Sequence, residues 1–563
     1  MSFRQPPRGA AKAVNCCEGN DEDCERLAVK IDEEACLTWE FPSNYPIRQY
    51  QVSIVKEALL KNTLVCLPTG LGKTLIAAVL MHNYFRWFPT GQIIFMAPTR
   101  PLVGQQIEAC HKVVGIPETA TAELSGSTAS EDRRRLWRDR RVFYCTPQTV
   151  SNDLKTGVLD PRRVVLVVFD EAHRALKKYA YCEVLNLIAA RQCHFRVLAL
   201  SATPGSTADG AQAVIDNLRI SNVEMRTEDD AEVAPHTHAR LVEKVFCDET
   251  EASGGRALGD ALAKLAEPCV SRLFKVGLLR TADCLELTAF SITCAQKQYA
   301  ERKQAGVNYA DFVLAQKLLA AHDSLKTFGQ GGRSLAARRS ECPISARRVA
   351  ESDLFKETVE KMRGSKAEHP KTTALRELLV DHFARAHQAG ASSRAMVFTG
   401  TRDSVDEIAL ALEGSPLLFV QKFVGQGGAE GMKQTVQRAA VAEFQRGSTN
   451  VMVATCIAEE GLDIAAVDIC VFYDQVGSPI RLVQRMGRTA RQRTGRVVML
   501  MVRGEEKKLD SSRKKSASVA AFLCSDAASG NGIKLHANLS KRMIPRRLVS
   551  SPRTGANLCR RGV

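Results

Sequence analysis

The eight residues from Leu67 to Thr74, LPTGLGKT, have the types and spacing of a phosphate-binding loop. Gly70 and Gly72 let the backbone curl so that successive N–H groups point at one anion, and a helix beginning there adds its partial positive charge. Lys73 can then reach the β- and γ-phosphates of ATP, and the Thr74 hydroxyl can bind Mg²⁺. The strict pattern has glycine where Leu67 stands, so the loop alone is a degenerate match.

An acid pair is the second group that could do chemistry. Asp170 and Glu171 open the sequence DEAH directly after the apolar run Val164–Phe169. A carboxylate at the end of a central strand can hold the Mg²⁺ that Thr74 also binds, and its neighbour can orient and deprotonate an attacking water. The alternative is a solvated acidic turn. The loop, the strand and the acid pair occur in the order that ATP hydrolysis requires, which favours the catalytic interpretation.

A basic segment near the C-terminus supplies arginines. The sequence QRMGRTAR begins at Gln484 and places Arg488 and Arg491 three residues apart, on one face of a helix. Two such guanidiniums can stabilise the charge that develops on a γ-phosphate. Read alone, the segment is typical of a basic solvated helix. Its place after the loop and the acid pair favours the catalytic role.

The elements that must position these residues alternate between short strands and longer helices. Five strands are predicted before residue 227, and Thr74–Phe85 reads as a buried helix; four more strands follow residue 370. The predicted strands are Leu64–Leu67, Ile93–Ala97, Val142–Cys145, Val164–Phe169, Val197–Leu200, Ala395–Phe398, Val451–Ala454, Ile469–Tyr473 and Val497–Val502. This alternation predicts an α/β protein with parallel sheets covered by helices on both faces.

The remaining segments divide the chain. Residues 1–40 lack periodicity and are predicted to be a loose arm. Residues 41–226 form the first α/β lobe and 370–503 the second. Between them, residues 227–369 show no strand runs but have helical periodicity at 261–279 and 311–325, which predicts a helical insert. Residues 504–563 have few large apolar residues and are predicted to be a disordered basic tail.

Composition excludes several classes of protein. The chain has 563 residues, of which 45% are hydrophobic and 25% charged, as in ordinary globular proteins. No apolar run is long enough to span a membrane, and no secretory signal opens the chain. Eighteen cysteines without CxxC spacing are expected to be thiols in a reducing compartment; the spacing of Cys16, Cys17, Cys24 and Cys36 fits no standard zinc site.

The basic charge is uneven. The net charge is +16, but residues 503–563 hold 14 Lys and Arg against 4 Asp and Glu, which is +10. The body of the chain is therefore only mildly basic. The tail predicts nonspecific affinity for a polyanion or a nuclear-import signal.

Taken together, the motifs resemble those of superfamily 2 helicases over about 460 residues, from Tyr45 to Arg503. In that family the first glycine of the phosphate loop is usually missing, which accounts for Leu67. The other matching segments, in chain order, are RQYQ ending at Gln51, APTRPL from Ala97, TPQT from Thr146, DEAH, SAT from Ser201, FTGTR from Phe398, TCIAEEGLD from Thr455 and QRMGRTAR. The resemblance implies two RecA-like lobes with ATP between the phosphate loop and the arginine segment.

A narrower resemblance is to the Fanconi anaemia group M and archaeal Hef branch. It depends on FVGQ at Phe423, GMKQ at Gly431, EEGLDI at Glu459 and SPIRLVQRMGR at Ser478, and on His369-Pro370-Lys371 opening the second lobe. In that branch the insert grips duplex or branched DNA. The relatives' C-terminal nuclease motif is not found in the tail, so we predict no nuclease activity.

The resemblance also implies roles for individual residues. Catalysis is assigned to Lys73, Asp170, Glu171, Gln484, Arg488 and Arg491. ATP binding is assigned to Gln51, Pro68, Thr69, Gly70, Leu71, Gly72, Lys73, Thr74 and Asp463, and Mg²⁺ to Thr74 and Asp170. Nucleic-acid contacts are assigned to Thr99, Arg100, Thr146, Gln148, Thr401, Arg402 and Thr455, and coupling between the two activities to Ser201 and Thr203.

Two of these assignments have structural alternatives. Thr401 precedes Ser404–Glu407, which reads as a capping box, so it could serve only to shape a loop. The basic residues of the insert, Arg272 among them, could line a DNA groove or form the wet face of packed helices.

The predicted function is an ATP-dependent DNA helicase or translocase, moving 3′ to 5′, that remodels forks and branched DNA in nuclear DNA repair, with DNA and repair-complex proteins as partners. One alternative is a double-stranded RNA-dependent ATPase of the RIG-I/Dicer type, which shares the position of the insert. Another is an inactive repair scaffold. The intact catalytic residues argue against the scaffold, and SPIRLVQRMGR favours the DNA branch.

Overall fold

The chain divides into two compact units in the computed structural model: unit 1, Met1–His236 with Lys514–Val563, and unit 2, Thr237–Arg513. The described residues are 29–192, 194–247, 255–284, 287–302, 308–328, 353, 356–357, 360, 369–425, 431–455, 464, 466–474, 485–487, 489, 494–502, 506–524, 532–536, 543–544 and 551–554.

Unit 1 is built on a parallel sheet. Its strands, after a separate β1 (Thr38–Phe41), are β2 (Thr63–Cys66), β3 (Gln92–Met96), β4 (Thr121–Leu124), β5 (Val142–Cys145), β6 (Val164–Phe169), β7 (Arg196–Ser201) and β8 (Asn222–Met225). Its helices are α1 (Glu33–Cys36), α2 (Gln49–Leu60), α3 (Lys73–Trp87), α4 (Arg100–Val113), α5 (Ser130–Asp139), α6 (Pro147–Lys155), α7 (Ala180–Ala189) and α8 (Ala208–Asn217). The seven strands of the sheet lie in the order β4-β5-β3-β6-β7-β2-β8.

The central strands of this sheet are buried on both faces. Every residue of β2, β3, β5, β6 and β7 is buried. Successive side chains alternate, so that Ile93 and Phe95 pack in one hydrophobic cluster while Ile94 and Met96 pack in another. Continuous apolar runs therefore form the strands, as parallel sheets require, and the α/β prediction is confirmed.

Unit 2 repeats the same sheet. Its strands are β9 (Arg240–Phe246), β10 (Ala395–Phe398), β11 (Val420–Phe423), β12 (Val451–Ala454), β13 (Ile469–Phe472) and β14 (Gly495–Met501), in the order β11-β12-β10-β13-β14-β9 and all parallel. Matching β9 to β2 and continuing in chain order to β14 and β7 gives the two sheets the same strand order, with β8 additional in unit 1.

Six helices of unit 2 lie in the described residues. They are α9 (Gly255–Lys275), α10 (Ala289–Arg302), α11 (Tyr309–Phe328), α12 (Pro370–Gln388), α13 (Arg402–Leu412) and α14 (Gln434–Arg446). Helices α9 to α11 pack around their own apolar cluster, which includes Leu273, Phe312 and Leu319. The insert is therefore helical, but the prediction that it begins at residue 227 without strands is wrong, because β9 joins the sheet of unit 2. This edge strand keeps most of its residues partly or fully exposed and so lacks an apolar run.

The described parts of the two terminal segments, 1–40 and 504–563, differ from the prediction of loose segments. β1 pairs in parallel with β15 (Ser551–Thr554), and Trp39 and Phe41 are buried. Helix α15 (Glu506–Cys524) has Val519 and Leu523 in the core of unit 1. Met543 and Ile544 are also buried in unit 1. The tail's few apolar residues are buried against unit cores formed by other segments, which composition of the tail alone does not reveal.

Two further features of the described residues are the state of their cysteines and the hydropathy of their helices. None of the eleven cysteines in the described part of the chain forms a disulfide bond, and burial raises the pKa of the Cys66 thiol to about 12. Cys36 is buried, whereas Cys16, Cys17 and Cys24 lie outside the described residues. No helix in the described ranges is long and apolar enough to cross a membrane.

Candidate functional site

The phosphate loop joins β2 to α3. Gly72 precedes the helix in the left-handed conformation, with φ of 86°, and Lys73 is the first helical residue. The Lys73 ammonium donates hydrogen bonds to the carbonyl oxygens of Leu67 (2.8 Å) and Pro68 (3.3 Å). The loop carbonyls therefore hold the Lys73 ammonium beside the loop, at the N-terminal, positive end of a buried helix. This is the arrangement that the sequence predicts for an anion site.

Helix α2 orients this loop. Tyr50 OH and Gln51 Nε2 both donate to the carbonyl oxygen of Leu71, at 2.9 and 3.0 Å. A Cβ on Gly72 would collide with the Gln51 amide, so the close approach and the positive φ both require glycine. Gln51 Oε1 is buried and accepts no hydrogen bond from the described residues. A buried acceptor beside a phosphate loop fits the amino group of a nucleotide base.

The acid pair follows β6. Asp170 and Glu171 are almost completely buried. Burial, and then the neighbouring Glu171 carboxylate, raise the pKa of Asp170 to about 7, while Lys73 opposes the shift. Glu171 has a positive φ of 49°, a strained conformation that functional sites often keep. Carboxylate oxygens are ligands that a divalent cation such as Mg²⁺ prefers.

A glutamine that the sequence did not single out connects the loop to the acid pair. Thr74 Oγ1 donates to Gln106 Oε1 (3.0 Å), and Gln106 Nε2 donates to Asp170 Oδ2 (3.2 Å). One amide therefore bridges the two predicted Mg²⁺ ligands. Gln106 lies in α4, seven residues after Thr99, and nothing in its spacing marks it.

The residues predicted to couple the two activities are connected to the acid pair through His173. His173 Nδ1 lies 3.3 Å from Glu171 Oε2 and 3.3 Å from Ser201 Oγ, and Ser201 Oγ donates to the Thr203 carbonyl oxygen (2.6 Å). Thr203 Oγ1 is buried and makes no hydrogen bond within the described residues. A continuous polar path thus runs from Glu171 at the end of β6 to the segment after β7.

Three predicted nucleic-acid residues of unit 1 meet in one cavity of about 310 Å³. It is lined by Arg100, Gly126, Arg133, Thr146, Gln148, Thr149 and Asn152. No carboxylate lines it, and its side chains offer guanidinium, hydroxyl and amide donors, the groups that bind phosphate oxygens without reading bases. Thr99 lies beside it as the N-cap position of α4 and is exposed.

Arg133, on α5, is a lining residue that the sequence analysis missed. Its Nε donates to both carboxylate oxygens of Asp153 (3.0 and 3.1 Å), and Asp153 also accepts from Trp137 Nε1 (2.8 Å). The buried carboxylate therefore fixes the direction of the guanidinium. The arginine-rich sequence of α5 was the available signal, but it reads equally well as a solvated helix face.

The predicted nucleic-acid-binding residues of unit 2 lie at the carboxyl ends of its strands, as they do in unit 1. Thr401, Arg402 and Thr455 follow β10 and β12, and Arg402 donates to the carbonyl oxygen of Gly425 (3.0 Å), after β11. Thr401 is the N-cap of α13, since its hydroxyl accepts from the Ser404 N–H (3.2 Å). The capping box predicted at Ser404–Glu407 is wrong: the helix begins one turn earlier, and the loop-shaping role of Thr401 is real.

Several predicted site residues lie outside the described residues. They are Asp463, Gln484, Arg488 and Arg491. In the insert, Arg272 donates to both carboxylate oxygens of Asp311 (2.9 and 2.7 Å), which favours the packed-helix interpretation for this residue.

A phosphate loop, an acid pair bridged to it by one amide, and a donor-lined cavity at the same sheet edge define the P-loop helicase class. Two family models agree: DEAD/DEAH box helicase matches residues 48–210, and helicase conserved C-terminal domain matches residues 370–493. The chain belongs to this family, in its Hef branch. Its fold is similar to the crystal structure of the Pyrococcus furiosus Hef helicase domain, with a TM-score of 0.60 over 83% of this chain and 98% of that one. The two sequences are 31% identical.

Longer relatives are similar over most of the chain. The ATP-dependent DNA helicase mph1 of Neurospora crassa is 39% identical over 92% of this chain, and the Fanconi anemia group M protein homolog of Mus musculus is 37% identical over 89%. The chain spans 46% and 27% of those relatives' lengths, respectively.

Proposed function

We propose that this chain is an ATP- and Mg²⁺-dependent DNA helicase or translocase that moves 3′ to 5′ and remodels forks and branched DNA in nuclear DNA repair. The hydrogen-bond chain from Thr74 through Gln106 to Asp170 carries the proposal. It joins the phosphate loop to the acid pair within hydrogen-bond distances, as coupled nucleotide binding and hydrolysis require.

The donor set fits magnesium. Thr74 offers a hydroxyl and Asp170 a carboxylate, the oxygen ligands that Mg²⁺ prefers, and their shared contact to Gln106 keeps them close. Bound there, the ion would neutralise charge on the phosphate oxygens. Glu171 would orient and deprotonate the attacking water, and Lys73 would turn from the loop carbonyls to the phosphates.

DNA is supported as the substrate by two observations. The cavity beside Arg100 is lined by donors suited to a phosphodiester backbone. The Neurospora relative is named an ATP-dependent DNA helicase. A motor must bind the backbone without reading bases, and hydroxyl, amide and guanidinium donors do so.

Steady-state ATPase activity of the purified chain tests the proposal. Equal nucleotide amounts of fork DNA, duplex DNA, single-stranded DNA and double-stranded RNA are compared, with Lys73→Ala as the control. We expect fork DNA to stimulate most. Strongest stimulation by double-stranded RNA would overturn the DNA assignment, and turnover unchanged in Lys73→Ala would overturn the ATP site.

Polarity, cation and compartment have separate tests. Partial duplexes with a 3′ or a 5′ single-stranded tail should be unwound from the 3′ tail. Chelation of Mg²⁺ should stop turnover, and readdition should restore it. A fluorescent fusion of the chain should concentrate in the nucleus, and exclusion from it would contradict that part of the proposal.

A further inference from the structure

Asp474 is a buried acid that the sequence analysis did not use. It lies two residues after β13 and is 8% exposed. Its Oδ2 accepts a hydrogen bond from Thr399 Oγ1 (3.0 Å) and a second from the Gly400 N–H. Its Oδ1 is buried and has no hydrogen-bond partner among the described residues. One carboxylate oxygen therefore ties down two consecutive residues of another loop.

The loop that Asp474 holds leads directly to predicted DNA contacts. Thr399 and Gly400 immediately precede Thr401, the N-cap of α13, and Arg402, its first residue. A Cβ on Gly400 would lie 3.1 Å from the carboxylate, so the turn fits closely against it. The position of the turn fixes where α13 begins, and hence where the Thr401 hydroxyl and the Arg402 guanidinium lie.

Burial raises the pKa of Asp474 to about 6, whereas the hydrogen bonds from Thr399 and Gly400, and then Lys371 and Arg485, oppose the shift. Lys371 Nζ donates to the Tyr473 carbonyl oxygen (3.3 Å), next to Asp474 in sequence. An ionised carboxylate makes stronger hydrogen bonds to the hydroxyl and the N–H than a neutral group would.

The equivalent edge of unit 1 cannot form this clamp. The matching strand pairs end in the same register, with Met96 opposite Phe169 in unit 1 and Phe398 opposite Phe472 in unit 2. Counting onward, Asp474 corresponds to Glu171, and Thr399-Gly400 to Ala97-Pro98. Alanine has no side-chain donor and proline no N–H. In unit 1, Glu171 therefore receives no hydrogen bond from an equivalent turn. In unit 2, the turn supplies two donors to the equivalent carboxylate, Asp474.

We propose that Asp474 is a positioning residue for DNA binding, whose carboxylate holds the Thr399–Gly400 turn so that Thr401 and Arg402 meet the DNA backbone. This inference rests on the proposed function, because it takes DNA as the ligand of that edge. It assigns no part in hydrolysis to Asp474.

The test separates DNA affinity from turnover. For each variant, the fork DNA concentration that half-saturates ATPase stimulation and kcat at saturating DNA are measured. Asp474→Asn keeps an acceptor oxygen but removes its charge, which weakens both hydrogen bonds, and should raise the half-saturating concentration about tenfold. Its kcat at saturating DNA should stay within about twofold of wild type, because the acid pair of unit 1 is untouched.

Two substitutions at Thr399 test the same contact without changing Asp474, so the test still works if Asp474→Asn does not fold. Thr399→Val removes the hydroxyl at nearly constant volume and should raise the half-saturating concentration by about threefold, the low end for one hydrogen bond. Thr399→Ser keeps the hydroxyl and should behave as wild type. If Thr399→Val and Thr399→Ser both have the fork DNA affinity of wild type, the proposal is overturned.

Arg402→Ala distinguishes failure of this inference from failure of the proposed function. If Arg402→Ala leaves DNA affinity unchanged, the assignment of this edge to DNA is wrong. If it weakens affinity while Asp474→Asn and Thr399→Val do not, only the positioning role is wrong. A fall in kcat and in thermal stability at unchanged DNA affinity would show a structural role instead and would also overturn the inference.

Discussion

Units 1 and 2 have the same strand order but use the same positions for different chemistry. After β2, unit 1 has the phosphate loop; after the matching β9, unit 2 continues with the acidic sequence CDETE from Cys247, which has no lysine. After β6, unit 1 has Asp170-Glu171; after β13, unit 2 has Tyr473-Asp474. In a parallel sheet, functional residues collect at the carboxyl ends of the strands. The hydrogen-bond donors nearby determine the role of a carboxylate at that position.

The two units agree more closely in their nucleic-acid residues. A Thr-Arg pair follows the matching strands β3 and β10, as Thr99-Arg100 and Thr401-Arg402, and each pair begins a helix. Hydroxyl and guanidinium at a helix start suit a phosphate in either unit. The comparison therefore predicts that the phosphate loop and the acid pair that hydrolysis needs belong to unit 1, and that backbone binding is shared.

The sharpest way to break this comparison is to neutralise the two corresponding acids. Glu171→Gln should lower the ATPase kcat by at least about a hundredfold, as for loss of a general base. Asp474→Asn at saturating DNA should not. The measurement is steady-state turnover at saturating ATP, with melting temperatures to confirm that both variants fold. Equal losses of kcat would mean that both acids serve hydrolysis.

A smaller effect is expected at the bridge within unit 1. Gln106→Leu removes both hydrogen bonds between Thr74 and Asp170 and should weaken the apparent Mg²⁺ affinity by about tenfold, since groups that orient metal ligands have effects of that size. The Mg²⁺ concentration that half-saturates turnover is measured. Gln105→Leu, at the preceding position of α4, is the matched control and should resemble wild type. An unchanged Mg²⁺ requirement in Gln106→Leu would contradict the bridge's role.

The Thr-Arg pairs allow a symmetric test. Arg100→Ala and Arg402→Ala should each lower fork DNA affinity by several-fold and reduce the slope of log affinity against log salt by about 1, as for loss of one phosphate contact. Binding is measured at several salt concentrations without ATP. A slope that changes in only one variant would confine backbone binding to that unit.

Central strands were predictable because burial on both faces demands uninterrupted apolar runs. Val164–Phe169 and Ala395–Phe398 have the same bounds in the structure as in the prediction. The missed strands β4, β8, β9 and β11 lie at sheet edges, where one side is wet and charged residues are tolerated. Their polarity made them look like loops.

The candidate site was predictable where chemistry and chain order coincide. Lys73, Asp170 and Glu171 each follow a strand and carry a functional group that hydrolysis needs. Gln106 and Asp474 act through partners distant in sequence, so no local spacing marks them. For Asp474 one signal was available: a lone acid after the apolar run Ile469–Tyr473, in the place that DEAH occupies after Val164–Phe169.

The smallest effect is expected in the insert, where charge alone suggested a DNA groove. Arg272 is committed to Asp311, with both nitrogens of its fork engaged, whereas Arg402 uses one nitrogen on a carbonyl at a predicted DNA-binding edge. Arg272→Ala should therefore change fork DNA affinity by less than about twofold and cost at least about 1 kcal/mol of stability, because it removes the ion-pair partner of the buried Asp311 carboxylate. DNA binding and the melting temperature are compared with those of Lys297→Ala, an exposed cation on α10. A tenfold loss of DNA affinity in Arg272→Ala would show that the ion pair opens to bind DNA, and that backbone binding is not confined to the two sheet edges.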